Sequence, residues 1–389
     1  MNSLQERRAV LACLRSEPDF DQFRKVAGGG EHGALLRWLD DSGLALYLGQ
    51  RLRDCDLWEE VNTELRGALQ TRMEMNRRRT FVLLSEFGRV NAALQRTEVR
   101  YALVKGFSLT DEFCRELWLR HQSDIDLLMD PADAKAAMEA LGSLEYELEP
   151  DEGSGEICLA IRSGHVPSAA DCIYDWPQNW HVEIHTKFYM PHCGASFDVG
   201  AQWTEHLEWR EIGGVRYPSL DAAHRFVMQA MHVFRHTSSW ARMAWLYEIA
   251  YFAGRFGEER ELWSRIDGLL DEKARNACGI ACALVASAFG TKFPAIVEET
   301  WIQTLPPRQA SWITRHGEAW MLSDFPHGNK AGLLLQREFA DSAAAWWKYR
   351  AGRYRKALRR SEMNGPRFLV NRARRQIEYV WQSLRWMGE

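Results

Sequence analysis

The sequence predicts an α+β fold in which a small mixed β-sheet lies between an N-terminal and a C-terminal helical region. Near both ends of the chain, apolar residues recur at three- and four-residue spacing, which is typical of amphipathic helices. Between these regions, short β-branched and aromatic runs are separated by turn residues, which is typical of strands. We therefore expect a helical region at residues 1–97, a sheet domain at 98–220 and a helical domain at 221–389.

The helical patterns differ in length. "LQERRAVLACLR" and "GALLRWLDDSGLALYLGQRL" predict N-terminal helices joined by the linker "AGGGEHG", and residues 57–96 predict one long helix. From Asp221 onward, "DAAHRFVMQAMHVFRH", "ARMAWLYEIAYFAGRF", "EERELWSRIDGLL" and "ACGIACALVASAFG" predict successive helices. A Trp-rich helix is expected near Ala343 to Arg350, and the tail ends in the pattern "RRQIEYVWQSLRW".

The sheet domain contains predicted strands and helices in a definite order. "VRYALVKG" predicts a strand, "FSLTDEFCRELWL" a helix, "SDIDLLM" a second strand and "DPADAKAAMEALGSL" a second helix. "YELEP" and "ICLAIRS" predict a hairpin around "DEGSGE", and "WHVEIHTKF" predicts a further strand. In "WREIGGVRYPSL", the pair Gly213 and Gly214 predicts a tight hairpin turn.

Composition indicates a packed globular protein. Apolar residues make up 46% of the chain, including 17 tryptophans, so the chain can bury a sizeable core. The formal net charge of -4 is not typical of a protein that binds polyanions along its whole surface. In contrast, residues 348–375 contain eleven Lys and Arg against the single acid Glu362. We interpret this segment as a solvated helix face; the alternative is a patch for an anionic substrate, nucleic acid or membrane surface.

The eight cysteines predict reduced thiols. They are scattered without a CxxC pair, and Cys278 and Cys282 lie in an apolar run that is typical of a buried helix. The first residues carry charge too early for a signal peptide, and no apolar run approaches the roughly 18 residues of a membrane span. We therefore expect a cytoplasmic protein without a membrane span.

Two aspartates open the second predicted strand. Side chains two residues apart on a strand point to the same face, so the carboxylates of Asp124 and Asp126 lie side by side. Their mutual repulsion would be relieved by a divalent cation, and oxygen ligands suit Mg²⁺ or Mn²⁺. The alternative is that the two aspartates have structural roles, one as an acid in a turn and the other as a hydrogen-bonding partner at a helix N-cap.

A third acid is expected from the strand pattern "HVEIH". Glu183 shares one face with His181 and His185, and its alternative interpretation is an exposed acid on a half-buried strand. The two histidines are also a candidate zinc pair, with His192 and Cys193 nearby in sequence. A tight zinc site requires further ligands that the sequence does not place, so structural histidines are the preferred interpretation.

The end of the first predicted strand offers candidate phosphate ligands. Gly106 would let the backbone approach a phosphate at the start of a helix, and Lys105 would add a positive charge. Ser108 would either donate to a phosphate oxygen or cap the helix. The alternative for Lys105 is a surface lysine. His232 and His236, four residues apart, are interpreted as a partly buried helix face rather than as ligands, and the sheet domain could face them.

The segments "LVKGFSLTDEF", "RHQSDIDLLM" and "HVEIHTKF", followed by a helix containing His232, resemble the nucleotidyltransferase family of the DNA polymerase β superfamily. They are most similar to a bacterial group with a KG, SDIDLL and E.H pattern, over about residues 65–254. The resemblance implies a nucleotidyltransferase sheet core and transfer of a nucleoside monophosphate from a nucleoside triphosphate such as ATP, with release of pyrophosphate. It also implies Mg²⁺ or Mn²⁺ as the cofactor.

The resemblance implies roles for individual residues. Asp124 and Asp126 match the metal-binding aspartates, and Glu183 matches the third acid, which helps to bind metal and can accept the proton of the attacking hydroxyl. Two metal ions would then stabilise the attacking and leaving oxygens during in-line displacement at the α-phosphate. These three acids are the predicted catalytic and metal-binding residues.

The nucleotide-binding residues implied by the resemblance lie around the acids. Lys105 and Gly106 replace the Gly-Ser phosphate loop that most members of the superfamily have, while Glu248 stands where an Asp is expected and is given no role. The full set assigned to nucleotide binding is Lys105, Gly106, Ser108, Arg120, Ser123 and His185.

The sequence leaves the acceptor and two other functions open. The acceptor is a small molecule, a peptide or protein, or an RNA end; the basic C-terminal segment favours an anionic acceptor, and nucleic acid is not the favoured partner. One alternative is a catalytically inactive nucleotide-binding or regulatory protein on the same fold. The other is a glycosyltransferase with an Asp-x-Asp metal site, which would require several βα units before the aspartates.

Overall fold

A seven-stranded mixed sheet with helices on both faces organises the computed structural model of the chain, so the predicted α+β fold is confirmed. The structure describes residues 3–27, 32–149, 157–162, 164, 173–175, 179–189, 193–200, 202–239, 241–324, 331–362, 377 and 381. The predicted turn "DEGSGE" and His192 therefore lie outside the described residues, as do most of "AGGGEHG" and most of the tail beyond residue 362.

Helices precede the sheet, as predicted. The long helix α5 begins after Asn62, whose side chain accepts a hydrogen bond from the backbone N–H of Glu64 and so caps the first turn. One face of α5 covers the sheet with Leu83, Phe87 and Val90. The helices of this region are α1 (Ser3–Cys13), α2 (Phe20–Ala27), α3 (Gly33–Ser42), α4 (Ala45–Asp54) and α5 (Thr63–Gln95).

The sheet has the strand order β3-β4-β5-β2-β1-β7-β6. Strand β2 pairs antiparallel with β1 and parallel with β5, while β7 pairs parallel with β1 and antiparallel with β6. The predicted hairpin at Gly213 and Gly214 is confirmed, since both residues have positive φ and join β6 to β7. The strands are β1 (Tyr101–Val104), β2 (Asp124–Met129), β3 (Glu147–Leu148), β4 (Ile157–Arg162), β5 (Asn179–His185), β6 (Leu207–Ile212) and β7 (Val215–Leu220).

The segment between β1 and β2 is not the predicted α-helix. It contains two short 3-10 turns, Gly106–Leu109 and Leu117–Leu119. Between them, Asp111 adopts a positive φ of 72°, which an α-helix does not tolerate. Two arginines from elsewhere in the fold donate to the backbone carbonyls of this segment, and these tertiary contacts favour turns over a regular helix. The second predicted helix of the sheet domain is confirmed as α6 (Ala134–Gly142).

Helices follow the sheet, again as predicted. Asp221 caps α7 by accepting from the backbone N–H of His224 at 3.0 Å. No described helix is both long enough and apolar enough to cross a membrane. The helices are α7 (Ala222–His236), α8 (Met243–Phe256), α9 (Arg260–Gly268), α10 (Glu272–Phe289), α11 (Ala295–Val297), α12 (Pro307–Trp312), α13 (Glu318–Met321), α14 (Ala331–Arg337) and α15 (Ala343–Glu362).

Alternating residues of the sheet contribute to two cores. On β1, Tyr101 and Leu103 pack with α5 and α6, while Ala102 and Val104 belong to a larger core with helices from both ends of the chain. Cys278 and Cys282 are buried in this larger core, as predicted. The change from helix to strand and back falls near the predicted limits at residues 97 and 220, but the division into three domains stays a prediction.

Helix α14 packs a glycine directly against the end of α7. A Cβ atom on Gly332 would lie 2.0 Å from the carbonyl oxygen of Thr237. We expect Gly332→Ala to lower the free energy of unfolding by roughly 1–3 kcal/mol, because the clash exceeds alanine's advantage in helix propensity. Urea unfolding measures the change. Gly254→Ala in α8 is the control, since no heavy atom lies within 4 Å of its Cβ position. Equal effects of the two substitutions would contradict the prediction.

Candidate active site

A cleft of about 160 Å³ lies between the sheet and the corner formed by α7 and α8. The sheet contributes Asp124, Asp126 and Glu183 to its lining, and the helical corner contributes Arg235 and Arg242. Acidic and basic side chains from elements that are far apart in the sequence therefore line the same cleft. The three predicted catalytic acids all line it.

The acidic side of the cleft results from the parallel pairing of β2 and β5. The register places Asp126 opposite Glu183 and Leu128 opposite His185. One carboxylate oxygen from each of Asp126 and Glu183 and one ring nitrogen of His185 lie within 4.8 Å of one another. Asp124, two residues before Asp126 on the same strand, lines the cleft but is not a member of this closest group.

Lys105 lies within the acidic group. Its Nζ atom is 2.6 Å from Asp126 Oδ1 and 3.3 Å from His185 Nε2. His185 Nε2 is itself 2.8 Å from Asp126 Oδ1 and 3.8 Å from Glu183 Oε2. Asp126 is only 3% exposed, so the ammonium compensates a charge that is largely shielded from water.

The pKa values of the three acids shift in different directions, because burial and mutual repulsion act against the positive charge of Lys105. Burial, followed by the charges of Asp126 and Asp124, raises the pKa of Glu183 to about 8. Burial and Asp126 also raise the pKa of Asp124. Burial acts in the same direction on Asp126, but Lys105 and His185 outweigh it and lower its pKa. A divalent cation would favour the charged form of all three acids.

The turn after β1 places Lys105 in an unusual backbone conformation. Lys105 has φ 53° and ψ -155°, a region that residues with a Cβ rarely adopt. Gly106 follows with φ 42°, and a Cβ atom there would lie 2.9 Å from Gln122 Oε1. Ser108 is fully buried and donates its hydroxyl to the carbonyl of Lys105 at 2.7 Å. It is therefore part of the turn and does not line the cleft.

This turn also changes the expected phosphate site. The sequence predicts the N-terminus of a helix after Gly106, whereas the structure has a 3-10 turn of only four residues there. A single 3-10 turn does not provide the aligned peptide dipoles of a helix N-terminus. That part of the prediction is wrong, and the positive charge near the cleft comes from side chains instead.

Helix α5 holds the loop that leads into β2. Asn76 Nδ2 donates to the carbonyl oxygens of Trp118 at 2.7 Å and Arg120 at 3.3 Å. Arg79 donates to the carbonyl of Gln122 through Nη2 at 2.8 Å and Nε at 3.2 Å. Both side chains are buried in the helix interface, so they fix the backbone just before Asp124.

The helical side of the cleft is basic and aromatic. His232 is 8% exposed, and burial, His236 and Lys105 lower its pKa well below the usual value, which favours the neutral ring. Its ring centroid is 4.1 Å from that of Trp245. The sequence predicted a partly buried helix face for His232 and His236 that the sheet domain could face, and in the structure both histidines line the cleft beside the sheet. The pattern "MHVFRHTSSWARMAW" offered a signal for this wall, because basic and aromatic residues cluster on either side of a helix boundary.

A buried ion pair between Arg120 and Glu248 was missed from the sequence. Arg120 is 7% exposed and lines the cleft, and its Nε atom is 3.1 Å from Oε1 of the fully buried Glu248. The available signal was the single acid within the apolar helix pattern "AWLYEIAYF", because a buried acid requires a positive or hydrogen-bonding partner.

The structure does not bring the candidate zinc ligands together within its described residues. His181 Nδ1 is 3.4 Å from Glu149 Oε2 on the neighbouring part of the sheet, and Cys193 is buried elsewhere. The closest group around His185 contains carboxylates and no second histidine or cysteine. Oxygen-rich donors of this kind favour Mg²⁺ or Mn²⁺ over Zn²⁺.

The conformation of Lys105 leads to a test of backbone strain. We expect Lys105→Gly to be more stable than Lys105→Ala by about 1 kcal/mol, because only glycine adopts this φ and ψ without strain. Both variants remove the same ammonium, so the difference between them reports the backbone alone. Free energies from urea unfolding provide the measurement, and an alanine variant as stable as the glycine variant would exclude strain at residue 105.

Comparison of the chain with known proteins gives a match to one protein family. No curated protein matches the chain significantly. The sequence profile of the family described as "Uncharacterised nucleotidyltransferase" matches residues 29–290, about two thirds of the chain. The matched range includes all seven strands and the helices α7 and α8 that complete the cleft. The protein therefore belongs to the uncharacterised nucleotidyltransferase family.

Proposed function

We propose that the protein transfers a nucleoside monophosphate from a nucleoside triphosphate to an acceptor and releases pyrophosphate. The observation that carries this proposal is the cleft in which Asp126 and Glu183, paired across β2 and β5, meet the basic residues Arg120, Arg235 and Arg242. The acids suit a divalent cation, and the guanidinium groups suit a triphosphate. Membership of a nucleotidyltransferase family supports the same reaction class.

Asp124, Asp126 and Glu183 are the proposed ligands of Mg²⁺ or Mn²⁺. The donor set supports this choice, because a carboxylate oxygen of Asp126 and one of Glu183 lie within 4.8 Å of each other. Burial and the neighbouring charges of Asp126 and Asp124 raise the pKa of Glu183, and a bound cation would favour its charged form. When bound, the cation would stabilise negative charge on the attacking and leaving oxygens. The side chain of Glu183 is 27% exposed, so we assign it the acceptor side of the cleft and the proton of the attacking hydroxyl.

The remaining predicted residues are proposed to bind and orient the nucleotide. Lys105, Arg120 and Ser123 line the cleft and are assigned to its phosphates. Gly106 permits the turn beside Gln122, and Ser108 supports that turn through the Lys105 carbonyl. His185 contacts Asp126 and is assigned to orienting this carboxylate.

The order of the motifs supports placing this core in the DNA polymerase β superfamily. The aspartates lie at the start of β2, the third acid lies opposite on β5, and a helical region follows the sheet. An Asp-x-Asp glycosyltransferase receives no comparable support, because β1 is the only described strand before β2 and it pairs antiparallel with it. The acceptor class stays open among small molecules, proteins and RNA ends.

One observation favours a second candidate, an inactive nucleotide-binding or regulatory protein. The Lys105 ammonium contacts Asp126 within the group of cation ligands, and the usual Gly-Ser phosphate loop is absent from the sequence at this turn. In such a protein Lys105 would compensate the acids permanently, and the nucleotide would bind without reacting. Incubation with each α-labelled triphosphate and Mg²⁺ distinguishes the two, because only the enzyme releases pyrophosphate and labels an acceptor or itself.

Asp126 is the residue on which the proposal depends most. We expect Asp126→Asn to lower nucleotidyl transfer about 100-fold or more, because it removes the most buried charge of the cation site. The same substitution should abolish the rise in melting temperature that Mn²⁺ produces in the wild-type protein. Pyrophosphate release and thermal unfolding with and without Mn²⁺ provide the two measurements.

Asp130→Asn is the matched control for this variant. Asp130 follows the same strand, its side chain is 38% exposed, and its nearest basic partner is Arg100 at 3.6 Å. Exposed pairs of this kind contribute little, so the control should keep wild-type transfer and Mn²⁺ stabilisation. Wild-type transfer by Asp126→Asn with Mg²⁺ would refute the assignment of the cation site.

A further inference from the structure

Glu248 is a fully buried acid with partners on three separate elements. Its Oε1 atom is 3.1 Å from Arg120 Nε and accepts a hydrogen bond from Tyr47 Oη at 2.9 Å. Its Oε2 atom accepts a hydrogen bond from Gln229 Nε2 at 2.7 Å. The partners come from the loop before β2, from α4 and from α7, so Glu248 joins both helical regions to the loop that leads into the acidic strand.

The ion pair between Arg120 and Glu248 requires free energy to bury, and breaking it by removing one partner would destabilise the fold. Burial raises the pKa of Glu248, and Arg120, which opposes this effect, is the largest stabilising influence on the charged form. Within the described part of the chain, Glu248 is the only acid in ion-pair contact with Arg120. Removing one partner would leave the other charged group buried without compensation.

Arg120 connects this pair to the cleft. It lines the same space as Asp124 and Asp126, and Asn76 fixes its backbone carbonyl. The contact is made through the Nε atom of Arg120, so pairing with Glu248 sets the position of the side chain. A guanidinium held at its Nε side keeps its two Nη atoms for another partner, and this fork matches the oxygens of a phosphate.

We infer that Glu248 is a positioning residue that holds Arg120 so that its guanidinium binds a phosphate group of the nucleotide in the cleft. This inference rests on the proposed function and adds a residue to which the sequence motifs give no role. It also extends the nucleotide site into the helical regions. Tyr47 on α4 and Gln229 on α7 donate hydrogen bonds to the carboxylate of Glu248, and this carboxylate in turn holds Arg120.

A double-mutant cycle tests the inference. Arg120→Gln, Glu248→Gln and the double variant are compared with the wild-type protein by calorimetric titration with a non-hydrolysable nucleoside triphosphate and Mg²⁺. Inorganic tripolyphosphate, which has no base or sugar, is the second probe. Arg120→Gln should weaken both affinities about tenfold, because a charge-assisted contact is lost. Glu248→Gln should weaken them several-fold, and the double variant should bind no more weakly than Arg120→Gln alone.

A purely structural role gives different results. Glu248→Gln would then lower the melting temperature without changing the affinity for tripolyphosphate, or its effect on affinity would add to that of Arg120→Gln; either result overturns the inference. If Glu248→Gln does not fold, Arg120→Gln and the double variant decide, because the double variant leaves no unpaired charge. Equal affinities of these two support the inference, and a further loss in the double variant overturns it.

Glu112→Gln is the matched control. Glu112 forms a second largely buried ion pair with Arg225, which is 2% exposed, and neither residue lines the cleft. The control should therefore lower the melting temperature and leave both affinities unchanged. If the wild-type protein binds neither probe, the proposed function fails. If it binds both and Glu248→Gln binds them equally well, only the role of Glu248 fails.

Discussion

The parallel pairing of β2 and β5 is the constraint on which the candidate site depends. It sets Asp126 directly opposite Glu183 in the interior of a sheet, where like charges repel and water screens them poorly. Much of the surrounding chemistry compensates for this placement. Lys105 and His185 contact Asp126, while the less buried Glu183 has a raised pKa. This arrangement is the basis of the proposed cation site.

Charge compensation explains two further features that are unusual by themselves. Lys105 keeps a backbone conformation that normally requires glycine, since the turn aims its ammonium at the acids. Glu248 keeps a buried carboxylate that costs free energy unless Arg120 is charged beside it. A rigid environment makes both the backbone strain at Lys105 and the buried charge of Glu248 easier to maintain. Helix α5 contributes such rigidity through Asn76 and Arg79, which bind the carbonyls of the loop before β2.

Much of the fold could be predicted because it follows from local patterns. Helical periodicity predicted α5, the period-two pattern predicted β2 and β5, and Gly213 and Gly214 predicted a hairpin turn. The helix expected between β1 and β2 did not form, because Asp111 has positive φ and distant arginines bind the carbonyls of the segment. Local pattern carries no information about such tertiary hydrogen bonds.

The sequence by itself determined that Asp124 and Asp126 share a face, since side chains two apart on a strand must do so, and motif order predicted Glu183 as the third acid of the candidate site. Strand periodicity does not specify which strands pair, so only the tertiary structure decided that Asp126 lies opposite Glu183. It also decided that α7 and α8 supply the basic wall and that Glu248 reaches Arg120. These contacts join residues more than 50 positions apart in the sequence, and they arise from packing the helical regions into one core around the sheet.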